Sequence, residues 1–566
     1  MIRTLVFLVA ACAFGADADL ILHNGKIVTV DSRFSIAQAV AMKGGAIAAV
    51  GRDADVLKER GANTRVIDLK GRTVLPGLFD SHVHALEAGL SEYRAPLPPL
   101  DSIAAVQAYL RERAKATPKG EWIVVPRTFP TRLSEMQMPT RRDLDVLPDH
   151  PVMFDASYVV IANSLALKVS GITRDTPNPP GGEIVRDAQG EPNGILKNAQ
   201  RLLKGVPPRA SGLTEADQLR ALEDQLKRYV AAGLTSVNDR AVDAEQIALY
   251  RKLQQQGRLP LRVALTWRPD ASRTVEDLSS AIRSADYVTK SGDDWLHFAA
   301  FKLTLDGGMT IGTAYQRHPY GAFGKQLYGK TNPDDRGQLF IAPEKLTAVM
   351  RVARDRGWQL TTHDQGGGAV DTWLDTLEAL DRERPIAPSR SFVMHASFQS
   401  PEAIARMKKM GILADTQSQW LYKDAPALLK VFGDAGMRYF FPLRSYLDAG
   451  IVVAAGSDHM IGHDKNRAVN PYNPFLSMWI MVARKTDRGE LVHPEEKITR
   501  AEALKTHTTG GAYIEFTEAR KGSIEVGKLA DAVVIDRDYL TCPEDQIKEI
   551  EPVMTVIAGK AVYERR

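Results

Sequence analysis

Cysteine is almost absent from the chain: 566 residues hold two, Cys12 and Cys542. If Cys12 leaves with a leader, no intramolecular disulfide can form, so a disulfide-stapled fold is excluded even for an exported protein. No apolar stretch is long and uncharged enough to cross a bilayer as a helix. Charge of one sign is lacking too, since 73 basic residues face 69 acidic ones for a net +4. There is no basic run interleaved with aromatics, no glycine loop of the Walker or dinucleotide type, and no solenoid period. Nucleic-acid binders, anionic-membrane binders and repeat arrays drop out. What remains is an ordinary globular composition, 44% hydrophobic and 25% charged, long enough for about four domains or for fewer if one is a large barrel.

The start, "MIRTLVFLVAACAFGADADL", places Arg3 before a short apolar stretch and small residues. It reads as a signal peptide over 1–18 and implies a periplasmic or secreted protein. A lipoprotein cleavage site at Cys12 is the second reading. Nothing in the composition opposes a homo-oligomer.

From Asp19 to Leu75, short β-like runs alternate with turns such as Asn24-Gly25 and Gly44-Gly45, and a matching stretch, 516–566, closes the chain with a turn at Gly559. The two ends are expected to build one small β-sandwich, 19–74 with 516–566. Between them, over 75–515, apolar runs alternate with amphipathic helical stretches, the grammar of a parallel sheet with crossover helices. Eight runs are found: "TVLPGLFDSHVH", "GLTSVND", "LRVALTW", "FAAFKLTLD", "WQLTTHD", "SFVMHAS", "GILADTQ" and "GIVVAAGSD". Eight predicts an α/β fold, a closed (β/α)8 TIM-like barrel. The interval from about 86 to 212 is too long for one crossover. Its Pro-rich character marks an inserted subdomain placed to cover the barrel mouth.

Chemistry in such barrels sits at the carboxyl ends of the strands. His82 and His84 stand two apart at the end of the first run, where an extended chain points both side chains the same way. Lys302 lies in the fourth run, His363 ends the fifth, His395 the sixth, and Asp458 the eighth. Each alone has a plain structural explanation; five strand ends bearing ligand-type side chains on one face predict a metal site. Neutral imidazoles and a carboxylate suit Zn2+, with Mn2+ or Fe2+ as alternatives. A divalent ion lowers the pKa of bound water towards about 7, providing hydroxide for attack on an amide-like carbon.

These residues, with "PGLFDSHVH", "GSD" and "GSIEVGKLADAVVID", resemble the amidohydrolase superfamily over nearly the whole chain. Within it, "ANSLALKVSGITRDTPNPPGGEIVRDAQGEPNGILKNA" is similar to the insert of amidohydrolase family 3, which includes N-substituted formamide deformylase-like enzymes. The resemblance implies that His82 and His84 bind the more buried metal, that Lys302 is N-carboxylated and bridges two ions, and that His363 and His395 bind the second. Asp458 would bind metal and shuttle a proton, and His395 or the second ion would polarise the substrate carbonyl. A single-ion site would need only His82, His84, His363 and Asp458, with Lys302 left to pair with Asp306. The chain departs from the family pattern at "HDQGGG" after the fifth run and at "HAS" after the sixth, where substrate contacts are expected.

Trp420 and Tyr422 after the seventh run, and Tyr315 and His318 after the fourth, are expected near the mouth, either holding an apolar or aromatic substituent or packing against the lid. His459 and His463 are read as loop histidines that either touch substrate or face solvent. The expected activity is hydrolysis of a carbon–nitrogen bond other than a peptide bond in a small amide, N-formyl or N-acyl compound. Cyclic-amide hydrolysis or deamination is the runner-up, and an inactive binding protein on the same barrel is the reading from a different class.

Overall fold

The computed structural model describes residues 17–565 apart from 209 and 331. The leader read in 1–18 thus lies, but for its last two residues, outside the described residues, as does Cys12. The eight apolar runs supply eight parallel strands hydrogen-bonded in chain order. They are β1 (Leu78–Val83), β2 (Leu234–Val242), β3 (Arg262–Trp267), β4 (Leu296–Thr304), β5 (Gln359–His363), β6 (Phe392–His395), β7 (Leu413–Thr416) and β8 (Val453–Ala455). Nearly every residue in them is buried, because helices cover the outside and side chains fill the inside. The helices begin and end where the sequence places caps. Thr214 caps Glu215–Ala231 in a reciprocal capping box with Asp217, and Pro401 opens Pro401–Met410 behind the Ser400 cap, which ends at the left-handed Gly411.

The barrel closes at its carboxyl end through residues just beyond β8. Asp458 N–H donates to the His82 carbonyl at 2.8 Å and His84 N–H to the His459 carbonyl at 2.8 Å. The Ser457 N–H reaches the Asp80 carboxylate at 2.9 Å. A Cβ on Gly456 would stand 2.4 Å from the His82 nitrogen, so this seam requires glycine.

One expectation is corrected. The run from Thr73 to His84, read as a single strand, is two. Thr73–Pro76 belongs to a six-stranded sheet, between Lys26–Val28 and Ala532–Ile535. The chain crosses to β1 at Gly77, where a Cβ would lie 2.2 Å from Thr235 Oγ1. Both halves are buried, so hydrophobicity runs on unbroken while the sheet changes.

That six-stranded sheet mixes strands from both chain ends, and it shares an apolar core with a four-stranded sheet of N-terminal strands. Leu22, Val40 and Met42 meet Val534, Met554 and Val556 there. Between β1 and β2, residues 123–197 form a five-stranded sheet of their own. Its strand Val159–Ala162 shows the two-residue period directly: Val159 and Ile161 join the main core, while Val160 and Ala162 face a separate small core with Leu167 and Leu196.

Candidate active site

The sequence-predicted ligands meet at the carboxyl face. His82 Nε2 and His84 Nε2 lie 3.4 and 3.2 Å from Asp458 Oδ1, and together the three form a group able to hold one metal ion. His395 Nδ1 is 3.9 Å from Asp458 Oδ2. The His82 and His395 rings stand 5.1 Å apart, and those of His363 and His395 4.6 Å. Lys302 lines the same cavity, about 290 Å³ in volume. His395 and Asp458 hold left-handed backbone, at φ 64° and 55°, a conformation that costs free energy and that the seam and surrounding bonds must maintain.

The bonds around these side chains assign their protons. His395 Nδ1–H donates to Gln417 Oε1 at 2.8 Å, and His363 Nδ1–H to Asp306 Oδ1 at 2.9 Å. Each ring therefore presents a bare Nε2. Asp306 also accepts from the backbone of Tyr315, Gln365 and Gly366. It serves His363, not Lys302, which corrects the alternative pairing. Trp420 Nε1–H donates to Asp458 Oδ2 at 3.1 Å.

Several buried atoms have no hydrogen-bond partner among the described residues: both ring nitrogens of His82, His395 Nε2 and Asp458 Oδ1. Buried polar atoms are nearly always paired; one His82 nitrogen carries the ring proton, and it is Nε2 that faces Asp458 Oδ1 in the space His395 Nε2 also borders. That donor set fits a divalent cation. The protonation pattern agrees. Burial holds His82 and His395 well below their ordinary range, and burial with the nearby Lys302 amine takes His363 to about 3. Burial pushes Asp458 upward, but the approach of His84 and the charges around it outweigh this and keep it below its usual value. Burial, followed by the Arg268 charge, lowers Lys302 to about 7.

Of the expected mouth residues, Trp420 lines the cavity. Tyr422 does not, and stands edge-on to Trp479 at 6.2 Å. His318 is exposed and outside the cavity lining, and Tyr315 lies beneath Arg336. His459 is neither solvated nor at the cavity: it is fully buried, bonded to Tyr229 Oη and the Gly462 carbonyl. His463 is tied to the Gly89 carbonyl. The cavity wall instead recruits Arg127, Phe129, Tyr158 and Gln200 from between β1 and β2, and Arg268 after β3. No motif marked the first four, because residues of the insert carry no barrel strand-end position to read; Arg268 does stand at a strand end, directly after β3, and was passed over.

A parallel barrel bearing this cluster at its carboxyl end defines a metal-dependent hydrolase of the amidohydrolase superfamily. The profile of the amidohydrolase family matches residues 65–563, and the chain belongs to that family, in the branch of amidohydrolase family 3. It is 31% identical over 560 residues to the N-substituted formamide deformylase of Arthrobacter pascens, covering 97% of this chain and 98% of that one. It is 26% identical over 570 residues to the protein LONG AFTER FAR-RED 3 of Arabidopsis thaliana, covering 97% and 92%. Among solved structures, an uncharacterized metal-dependent hydrolase from Pyrococcus horikoshii OT3 superposes with a TM-score of 0.67 at 21% identity, over 93% of this chain and 99% of that one. At that identity the likeness shows the fold.

Proposed function

We propose that the protein hydrolyses a carbon–nitrogen bond other than a peptide bond, in an amide, N-formyl or N-acyl compound. The observation that carries this reading is the convergence of unpartnered lone pairs from His82, His395 and Asp458 at the end of the barrel. Zinc is the ion the donor set favours. His82, His84 and Asp458 would hold the first ion, and His363, His395 and an N-carboxylated Lys302 the second. A divalent ion bound there supplies Lewis acidity and makes a water acidic enough to attack at neutral pH.

The chain's own residues do the rest. Asp458 takes the proton of the attacking water and passes it to the leaving nitrogen, while the Trp420 N–H on Oδ2 fixes the carboxylate plane. The bare Nε2 of His395 supports it as a ligand rather than as a donor to the carbonyl. Tyr158, held protonated by burial with its pKa near 12, stands edge-on to His363 at 5.2 Å and is placed to donate to the carbonyl oxygen. Burial lowers Lys302 to about 7, which favours the neutral amine whose nitrogen attacks carbon dioxide and loses one proton as the carbamate forms.

The deformylase relative supports an N-formyl substrate. A screen of N-formyl, N-acyl-amino-acid, cyclic-imide and ester panels, with zinc or manganese supplied, tests the reading, and hydrolysis confined to the last two panels overturns it. Metal analysis tests the bridge: Lys302→Ala should fall from two ions per chain towards one, and one ion in both proteins removes it.

A further inference from the structure

We propose that the cavity wall carries a subsite, made by Gln365 and Thr310, for an uncharged oxygen on the substrate, so that the compound cleaved bears a hydroxyl, ether or carbonyl oxygen on its nitrogen substituent besides the amide that is cut. The proposal rests on the amide-hydrolase reading above and narrows it. Both residues line the central cavity, and both are almost wholly buried, Gln365 at 3% exposure and Thr310 at 2%. They follow β5 and β4. In a barrel of eight strands in chain order, those two lie across from β1 and β8, which bring His82, His84 and Asp458. The subsite is therefore on the wall opposite those three side chains. Gln365 stands in "HDQGGG", where the chain departs from its family's pattern.

The Gln365 amide is held in one orientation. The Met309 N–H donates to Gln365 Oε1 at 2.7 Å, and only an oxygen can accept it, so the NH2 group is the free end. The backbone is pinned as well: the Gln365 N–H donates to Asp306 Oδ1 at 3.0 Å, the same oxygen that takes the His363 Nδ1–H. One carboxylate thus sets both the imidazole and the subsite. Thr310 sits in the turn Met309–Ile311, where Tyr328 Oη donates to the Met309 carbonyl at 2.7 Å and the Gly308 N–H donates to Thr313 Oγ1 at 3.0 Å. Among the described residues neither Gln365 Nε2 nor Thr310 Oγ1 has a hydrogen-bond partner, and neither is sealed off from the cavity. Side chains buried to this degree are nearly always paired. Water can meet them in an open cavity, but a ligand that displaces water must supply an acceptor in its place or leave both groups bare. Neither group carries charge, and an uncharged oxygen meets them without the desolvation cost of an ion. A formyl group has no second oxygen to offer, so the nitrogen substituent supplies it.

The test uses metal-loaded wild type, Thr310→Val, Thr310→Ser and Gln365→Glu, followed by kcat/KM and by isothermal titration. The probes are two pairs that exchange one oxygen for one methylene: N-formyl-3-methoxypropylamine with N-formylpentylamine, and N-formyl-2-methoxyethylamine with N-formylbutylamine. Wild type should prefer the ether in at least one pair by roughly tenfold. The kcat/KM ratio within a pair does not depend on how much of a variant is folded or metal-loaded, so a poorly folding variant can still be read. Thr310→Val should shrink the ratio and Thr310→Ser should keep it. Gln365→Glu still offers Met309 its acceptor but presents an oxygen where the NH2 stood, and it should abolish or reverse the ratio. Loss in either Thr310→Val or Gln365→Glu upholds the subsite. Equal handling of both pairs by wild type, binding included, overturns it, as does a ratio unchanged in both variants. If no probe is cleaved, the hydrolase reading loses support and titration decides the subsite alone: tighter binding of an ether that Gln365→Glu removes upholds it, and no such preference overturns it.

Discussion

Two sets of buried polar side chains sit one residue apart on β1, and they are met in opposite ways. Around Ser81, charge meets charge. Arg240 donates to the Ser81 carbonyl at 2.6 Å and to Thr266 Oγ1 at 3.2 Å, and faces the Asp415 carboxylate at 3.1 Å. Ser81 Oγ closes the group with a 2.5 Å bond to Asp415. Around His82, imidazoles meet a carboxylate without a hydrogen bond, and neither ring nitrogen of His82 has a partner. His507 sharpens the contrast, for its Nδ1 bonds the Phe79 carbonyl and its Nε2 bonds Ser477 Oγ. The first set and His507 hold the barrel together. The set around His82, left without hydrogen bonds, costs stability and is the set that the proposed function puts to use.

The largest expected effect is on activity. His82→Ala or His84→Ala should abolish turnover, by orders of magnitude, and lower bound metal, read by activity and metal analysis on the same sample. Full metal with near-normal turnover in either variant would erase the distinction between the two sets. Next comes stability. Arg240→Met leaves Asp415 buried without its cation and should cost about 3–5 kcal/mol. Metal-free His82→Ala should lose clearly less, and an equal loss by denaturant titration would mean that the His82 nitrogens are partnered after all.

The smallest effect concerns pH. Burial lowers His507 from an ordinary 6.5 to about 4, so as pH falls the unfolded chain protonates first. The stability it contributes is complete above pH 6.5 and is lost as pH falls towards 4. His507→Asn should flatten the fall of unfolding free energy across that window by about one proton, and an unchanged slope would place the charge elsewhere.

The barrel was legible because each strand is a buried β-rich run between amphipathic helical stretches, so that eight runs could be counted and eight parallel strands follow in chain order. The clustering of the candidate ligands was legible because a barrel aligns strand ends, so His363 and His395 could be placed together without knowing their partners. The crossing at Gly77 was not, since burial continues on both sides of it. Gln417 and Asp306, which orient the rings, lie outside the histidine motifs, and their role depends on a hydrogen bond across the barrel. Tyr422 was misplaced because the stretch read as a loop is the start of helix Gln419–Met437, which turns it towards Trp479. The wall from the inserted sheet was out of reach, as it comes to the mouth through tertiary packing alone.

The seam at Asp458 has a consequence for biosynthesis. The bond from Ser457 to Asp80 spans 377 positions, and the same short stretch that ends the last strand carries the carboxylate that the two histidines face. A chain emerging from the ribosome displays its histidine pair early and meets that carboxylate only after most of its length has been made. Ring closure and completion of the ligand set are therefore a single late event. A ribosome-bound fragment ending before Ser457 has the histidines without the carboxylate they face, so under the proposed function a nascent chain has no finished cage in which the wrong ion can be trapped.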